Sequence, residues 1–311
     1  MSPTIAVVAH RKKTLGAGLD RLRTLISEED VGELLWYEVP KSKKAPKQVR
    51  KALKAGADLV FVWGGDGMVQ RCAGVLADTG VPMAILPAGT GNLFACNVGI
   101  PIDLEEAVRI GFHGRREKLD LGLLNGEHFA VMAGAGFEAE MIADADQQAK
   151  QRLGKMSYVK AAVRHVGGPL VPMRIKVDGA VWFEGEASCL LLGNVGTIAG
   201  GIEAFDDARP DDGWLEVGVS TAQGPVQWAR VLGRMATGRS EDSPFVRVTR
   251  ARKVSARFGS PLLYELDGGD REAVTRIKAK VAAGALTVCL PPAPRPDAGD
   301  DSADHPTESA S

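Results

Sequence analysis

No stretch of this 311-residue chain approaches the run of about twenty apolar residues that a helix needs to cross a bilayer, and none of its four cysteines stands in a CxxC pair. The first absence argues against a helical membrane span. The second argues against a disulfide framework: Cys72, Cys96, Cys189 and Cys289 are scattered among apolar neighbours and are expected to be buried, free thiols of a reducing compartment. Charge of one sign is also lacking. With 38 Lys and Arg against 39 Asp and Glu, the net charge of −1 speaks against a dedicated nucleic-acid binder, although it leaves room for local basic patches. The segment Met1–Ala9 becomes basic only after its apolar run, the wrong order for a secretion signal. A cytoplasmic protein follows, touching the inner membrane face only peripherally.

Several chemical signatures are missing too. There is no GxxxxGK[ST], and Gly65-Asp66-Gly67 is not followed by the third glycine of GxGxxG, so neither a P-loop nor a dinucleotide fingerprint is present. HExxH and GxSxG are absent, and the acidic run Asp206–Asp212 lacks the alternation of an EF-hand loop. Hydrolase and zinc chemistry therefore have little support. No internal repeat is found.

What is present is an alternation of strand and helix signals over the first third: strands at Ile5–Ala9, Leu34–Val39, Leu59–Trp63 and Met83–Leu86, helices at Gly18–Ile26, Pro46–Ala55 and Met68–Ala77, and a helix opening at Asp103 as N-cap. Such βαβ patterning implies a parallel sheet with ligands at the carboxyl ends of its strands. Beyond about residue 118 the pattern turns to paired β segments. Asp178-Gly179 joins Met173–Val177 to Val181–Glu186, and Ala283-Gly284 joins Ile277–Ala282 to Leu286–Leu290, both read as hairpins. A long helical stretch is expected over Glu138–Val166. A shorter one over Val226–Thr237 places Trp228, Leu232 and Met235 on one face, as core packing. The expected organisation is an α/β domain over 1–118, a β domain over 119–291 and a disordered tail over 292–311.

Two glycine turns carry most of the chemistry. Gly64-Gly65-Asp66-Gly67 leaves the strand ending at Trp63, and Gly89-Thr90-Gly91-Asn92 follows the strand ending at Leu86. Turns of this kind let backbone N–H groups approach an anion, so a nucleotide polyphosphate between them is expected. Asp66 is unusual in a turn whose only purpose is tightness. A carboxylate there can hold Mg²⁺, directly or through water, or accept a hydroxyl proton during phosphoryl transfer; the plainer alternative is a cap for the Met68 helix.

These turns, with Pro87–Ala95, Asp120-Leu121-Gly122, Gly134–Phe137, Leu153–Tyr158, Gly193-Asn194, Gly200-Gly201, Asp211–Leu215 and Leu266-Asp267-Gly268, resemble the diacylglycerol kinase catalytic-domain family, which includes bacterial lipid kinases and sphingosine kinases. The resemblance spans nearly everything up to Pro291. It implies an N-terminal Rossmann-like α/β domain with a parallel sheet and a C-terminal antiparallel β-sandwich domain, as in NAD kinase and diacylglycerol kinase folds, with ATP in the cleft between them. It implies ATP-dependent phosphorylation of a diacylglycerol-like or sphingoid-like hydroxyl, with NAD kinase-like phosphorylation of a soluble nucleotide and non-catalytic nucleotide binding as alternatives. By carry-over, Gly64, Gly65, Asp66, Gly67, Gly89, Thr90, Gly91 and Asn92 would surround the phosphates, with His10 and Lys12 from the first loop. Asp212 would bind a structural Mg²⁺, helped by the carbonyls of Arg209 and Trp214.

The chain also departs from the family pattern. Ala9-His10 replaces an Asn-Pro pair, and Met68 replaces a threonine. Gly269 stands where bacterial members often carry a glutamate proposed as general base. Three alternatives remain at this stage: Asp66 is the base, with Asp267 assisting the metal; Asp267 or Asp270 substitutes for the glutamate; or nucleotide binds without efficient turnover. Basic stretches at Arg11–Lys13, Lys41–Lys54 and Arg247–Arg257 are either solvated surface or faces that meet phosphates or an anionic membrane. Expected partners are a lipid with a free hydroxyl, a membrane surface and a second copy of the chain; nucleic acid is not expected.

Overall fold

Strand β1 (Thr4–His10) is buried at its five central positions and β3 (Leu59–Gly64) at all six, as expected of parallel strands covered on both faces. In the computed structural model, which describes residues 2–136, 170–198, 202–235, 237–239 and 242–293, these two lie between β2 (Glu33–Val39) and β4 (Met83–Pro87) in one parallel sheet. Helices α1 (Leu19–Ser27), α2 (Ala45–Lys54), α3 (Asp66–Leu76), α4 (Leu93–Asn97) and α5 (Leu104–His113) belong to the same half. The Asp103 carboxylate accepts from the Glu106 N–H at 2.8 Å, the N-cap expected from the sequence. Helix α3 opens two residues before Met68. Gly65 is its cap, so Asp66 and Gly67 form its first turn.

Among the remaining described residues the strands pair antiparallel, apart from one parallel bridge of the last strand to β4. They comprise β5 (Arg115–Leu124), β6 (Glu127–Phe129), β7 (Met132–Ala135), β8 (Val171–Val177), β9 (Ala180–Ala187), β10 (Cys189–Gly193), the short pair β11 (Thr197–Ile198) and β12 (Ile202–Glu203), β13 (Leu215–Ser220), β14 (Val246–Ala251), β15 (Lys253–Leu266) and β16 (Gly269–Leu290). Hydrogen bonding runs β14-β13-β10-β7-β15-β16, with β8 and β9 branching from β15, and forms the β-sandwich half of the molecule. The Asp178-Gly179 hairpin forms as expected between β8 and β9. Helix α6 (Gly224–Met235) buries Trp228, Val231 and Leu232, the core packing expected of that stripe.

The Ala283-Gly284 hairpin does not form. β16 instead runs on past these residues along the same neighbour, pairing Ala279–Ala282 with Leu124–Leu121 and then Leu286–Leu290 with Leu119–Arg115. Ala283, Gly284 and Ala285 bulge opposite Asp120, and Gly284 takes φ 58°, which glycine adopts without strain. The Asp120 carboxylate holds the bulge. It accepts from Gly284 N–H at 2.7 Å and from Gly213 N–H at 2.6 Å, and the residue is 3% exposed. This gives the Asp-Leu-Gly motif a structural role, tying the turn at Asp211–Gly213 to the β5–β16 ribbon.

That ribbon crosses between the two cores. Leu119, Leu121, Leu286 and Val288 pack in the core of the α/β half, while Leu124, Ile277 and Ala279 pack in that of the sandwich. A boundary drawn at residue 118 therefore falls inside β5. The last strand also bridges to β4, at Val288 and Met83. Cys96 departs from expectation: it is exposed on α4, whereas Cys72, Cys189 and Cys289 are buried as expected. The helical stretch expected at Glu138–Val166, the Leu153–Tyr158 and Gly200-Gly201 motifs, and most of the expected tail lie outside the described residues. Among the described residues no helix is long and apolar enough to cross a membrane.

Candidate active site

The parallel sheet brings three chain segments to one edge. Ala9 is in register with Trp63, and Gly64 with Pro87, so His10, the Gly64–Gly67 turn and the Gly89–Asn92 turn leave the carboxyl ends of adjacent strands. The two glycine turns abut. A Cβ on Gly65 would stand 2.9 Å from the Gly89 Cα, and one on Gly89 would meet Gly65 still more closely. A Cβ on Gly67, by contrast, would meet nothing within 4 Å. Gly65 and Gly89 are thus required by packing, whereas Gly67 opens onto free space. Gly67→Ala is expected to leave the thermal midpoint unchanged or slightly raised, since alanine is better than glycine in a helix by about 0.5–1 kcal/mol. Its nucleotide KM should rise, while Gly89→Ala should lower the midpoint. Thermal scans paired with ATP titration check both.

Asn92 explains the shape of the second turn. Its backbone is left-handed (φ 50°, ψ 41°), and its amide accepts from Gly89 N–H at 2.7 Å and donates to Gly89 O at 3.0 Å. The residue is 3% exposed, so its side chain braces the turn instead of reaching a ligand. Thr90 and Gly91 are exposed at the tip. Behind the first loop, Trp63 Nε1 donates to Lys13 O at 3.0 Å, and His10 Nδ1 accepts from Lys12 N–H at 3.2 Å. Burial and the neighbouring Lys13 and Lys12 charges lower the His10 pKa, which favours its neutral form. The Lys12 side chain is exposed.

Asp66 lies half-buried at the start of α3, where its carboxylate accepts from the Phe94 N–H at 3.3 Å. Burial raises its pKa, opposed by the backbone N–H groups of Phe94, Leu93, Asp66 itself and Asn92. A second carboxylate arrives from the sandwich. Asp267, in a left-handed turn (φ 48°), accepts from the N–H groups of Ala130 (2.7 Å), Val131 (2.9 Å) and Met132 (2.9 Å). Burial nevertheless pushes its pKa up to about 6, with the negative charge of Asp66 adding to the rise. The Asp66 charge is thus felt at Asp267.

Sequence reasoning missed a third carboxylate. Glu265, two residues before Asp267 on β15, is 7% exposed and has no hydrogen-bond or ion-pair partner among the described residues. Burial, then the charges of Asp267 and Asp270, push its pKa up to about 7. Glu265 pairs in register with Asp270, beside the turn that holds Gly269. Asn97 was also missed: it accepts from Thr197 N–H (3.1 Å) and donates to Thr197 O (2.9 Å), clasping the sandwich to α4 beside the second glycine turn.

Comparison with known proteins places this geometry. The family model for the diacylglycerol kinase catalytic domain matches residues 6–124, and that for the YegS C-terminal NAD kinase beta sandwich-like domain matches residues 130–290, more than half of the chain. The chain belongs to the diacylglycerol kinase family. A Pseudomonas aeruginosa protein named "Probable lipid kinase YegS-like" is 30% identical over 92% of this chain and 94% of its own length. A Mycobacterium tuberculosis protein named "Diacylglycerol kinase" is 29% identical over 65% and 68%. This chain covers about half, 48%, of a longer uncharacterised Synechocystis protein that is 29% identical to it. The crystal structure of a diacylglycerol kinase from Bacillus anthracis superposes with a TM-score of 0.76 at 24% identity, over 94% of this chain and 98% of that one, and shares its fold.

Membership in this kinase family leaves the metal position to be tested on the residues themselves. The Asp212 carboxylate accepts from Trp214 N–H at 3.0 Å and is bonded to the Arg250 guanidinium, which also pairs with Glu216 at 2.9 Å. Arg209 is turned to Asp211, at 3.3 Å. A guanidinium thus stands against the carboxylate that the resemblance assigns to Mg²⁺. Among the described residues no cluster of three or more His, Cys, Asp or Glu able to hold a metal ion is formed. In this structure Asp212 is an ion-pair partner of Arg250, and its expected Mg²⁺ role with the Arg209 and Trp214 carbonyls is put to the test of chelation. The thermal midpoint of the wild-type protein should be the same in chelator and in Mg²⁺. Arg250→Met, which frees the Asp212 carboxylate of its ion pair, should be stabilised by Mg²⁺. A wild-type midpoint that drops on chelation would restore the metal.

Proposed function

We infer that this kinase transfers the γ-phosphoryl group of ATP to the hydroxyl of a diacylglycerol-like or sphingoid-like lipid. The observation that supports the reading most is the pair of abutting glycine turns at the carboxyl ends of adjacent parallel strands, with the Asp66 carboxylate in the first of them, in a family whose relatives are named as lipid kinases. Backbone N–H groups around Gly65–Gly67 and Gly89–Gly91 would hold the phosphates, with Lys12 able to swing in from the first loop. Mg²⁺ would enter on the nucleotide, since it commonly needs only one or two carboxylates besides phosphate oxygens and water; Asp66 offers one.

Asp66 takes the proton. As the acceptor oxygen forms its bond to the γ-phosphorus and the bond to the bridging oxygen of ADP breaks, the hydroxyl proton passes to the Asp66 carboxylate. A raised pKa suits that role, and the amides at the start of α4 keep the carboxylate oriented. Asp267 acts by position. Three of its lone pairs are engaged by the Ala130–Met132 backbone, which leaves little capacity for metal and makes it the brace of that segment.

The test is to incubate the purified protein with Mg²⁺ and ATP labelled at the γ-phosphate, offering a total lipid extract and NAD in parallel. Label should enter the lipid pool alone. Label in NAD would point to phosphorylation of a soluble nucleotide, and ATP binding without label in either pool would point to a non-catalytic nucleotide binder.

A further inference from the structure

The three basic stretches of the sequence are not equivalent in the fold. Arg11 pairs with Glu38 (3.4 Å), Arg250 with Glu216, Arg247 lies over the Trp182 ring (5.5 Å) and Arg252 over the Trp214 ring (4.6 Å). These cations are spent on local partners. A set that shares only Lys253 and Arg257 with those stretches is gathered by strand register.

On β15, Val254, Ala256 and Phe258 face the sandwich core, so Lys253, Ser255 and Arg257 face outward. β16 alternates likewise, with Ile277 and Ala279 inward and Arg276, Lys278 and Lys280 outward; β8 sends Arg174 and Lys176 outward. The register sets these cations side by side. Lys253 pairs with Lys280, Arg257 with Arg276 and Arg257 with Arg174, while Ser255 lies between Lys176 and Lys278. Seven cations from three adjacent strands therefore share one face. Like charges directly opposite one another in a sheet are destabilising, and strands are only about 4.8 Å apart. Among the described residues the relief is a single long contact, Arg174 to Glu184 at 3.7 Å. Lys176, Lys253, Lys278 and Lys280 have no ion-pair partner among the described residues, and they line a cavity of about 470 Å³ that no carboxylate lines.

We propose that this outer face of the β8–β15–β16 sheet docks the protein onto an anionic lipid bilayer, the lysine-lined cavity receiving a phosphate headgroup. The proposal rests on the lipid-kinase reading, which requires the enzyme to reach a bilayer. Charge complementarity favours that occupant, because cations near an anionic bilayer contribute about 1 kcal/mol each and here they lie on one plane. Val181, 44% exposed and in register with Lys176, adds an apolar contact at the rim. Single-stranded nucleic acid fits less well. Its platforms stack bases on aromatic rings, and none of the outward positions of these three strands facing the cavity is aromatic.

The full chain is sedimented with vesicles of phosphatidylcholine alone and with vesicles in which about a third of the lipid is phosphatidylglycerol. Wild-type protein should partition only onto the anionic vesicles and be released by high salt. A triple variant, Lys253→Glu with Lys278→Glu and Lys280→Glu, should lose binding by about tenfold or more, with an unchanged or higher thermal midpoint because a like-charge ladder is broken. Reversing Lys43, Lys47 and Lys51, at the other basic stretch, should leave binding intact. Turnover of a dispersed short-chain acceptor should be equal in wild type and the sheet variant. Equal binding to both vesicle types, retained binding by the sheet variant, or tighter binding to inorganic polyphosphate or RNA than to anionic vesicles would overturn the proposal. If anionic binding depends on the sheet lysines while no lipid is phosphorylated, the surface stands and the kinase reading fails.

Discussion

Asp66→Asn is expected to lower kcat by about 10³-fold, with little change in the KM for ATP and no loss of thermal stability. The substitution keeps the shape and the oxygen that accepts from Phe94 N–H, so the contact with α4 survives. It removes the group that takes the hydroxyl proton. Because burial already works against the charged form of Asp66, a neutral replacement removes an unfavourable burial and should hold or raise the midpoint. That separation of activity from stability distinguishes a proton acceptor from a helix cap, whose loss would cost stability and leave kcat nearly alone. Acid should mimic the substitution: kcat/KM falls as pH drops below the raised pKa of Asp66, since protonation removes the base. A variant retaining wild-type kcat would assign the proton elsewhere, with Glu265 the next carboxylate to test.

Glu265→Gln should stabilise the protein at alkaline pH and do little in acid. In the unfolded chain this carboxyl ionises near its ordinary value of 4.5, whereas in the folded protein it holds its proton up to about 7. Between those values the folded state binds more protons than the unfolded state, so stability is fully present below about pH 4.5 and is lost as pH rises through about 7. Above pH 7 the ionised Glu265, buried at 7% exposure, therefore costs about 2–3 kcal/mol relative to a neutral side chain of the same shape. Thermal unfolding at pH 8 should show the glutamine variant higher by roughly 5 °C, with the two proteins converging near pH 5. Equal midpoints at pH 8 would mean that Glu265 is better solvated than its 7% exposure suggests. A carboxylate kept at such a cost beside Asp267 is what a stability–activity trade-off produces at a working site, so the same variant should be slower as well as more stable.

The parallel half of the fold was legible because covered strands are written as unbroken apolar runs ending in glycine turns: Leu59–Trp63 and Met83–Leu86 could hardly be read otherwise. The sandwich was legible only where a turn dipeptide means what it does locally. Asp178-Gly179 reverses the chain, but Ala283-Gly284 does not, because the decisive partner is the Asp120 carboxylate 164 residues earlier in the chain. The site divided along the same line. Asp66 could be singled out since a carboxylate between turn glycines is conspicuous in one dimension. Glu265 could not, because it is one residue of an alternating strand, and its isolation arises from pairing with Gly134 on one side and Asp270 on the other. Arg250 looked like part of a basic run, and only the fold sets it against Asp212, 38 residues before it. The sheet lysines were the least legible, as their clustering exists only in the register of three strands.

The most direct test is mass spectrometry of a total lipid extract after incubation with Mg²⁺, ATP and either wild-type or Asp66→Asn protein. Wild type should produce lipid species heavier by one phosphate, with matching loss of a hydroxyl-bearing precursor, and the variant should produce almost none. A lipid extract unchanged by wild-type protein, or changed equally by both proteins, would contradict the assignment of Asp66 as the base of a lipid kinase.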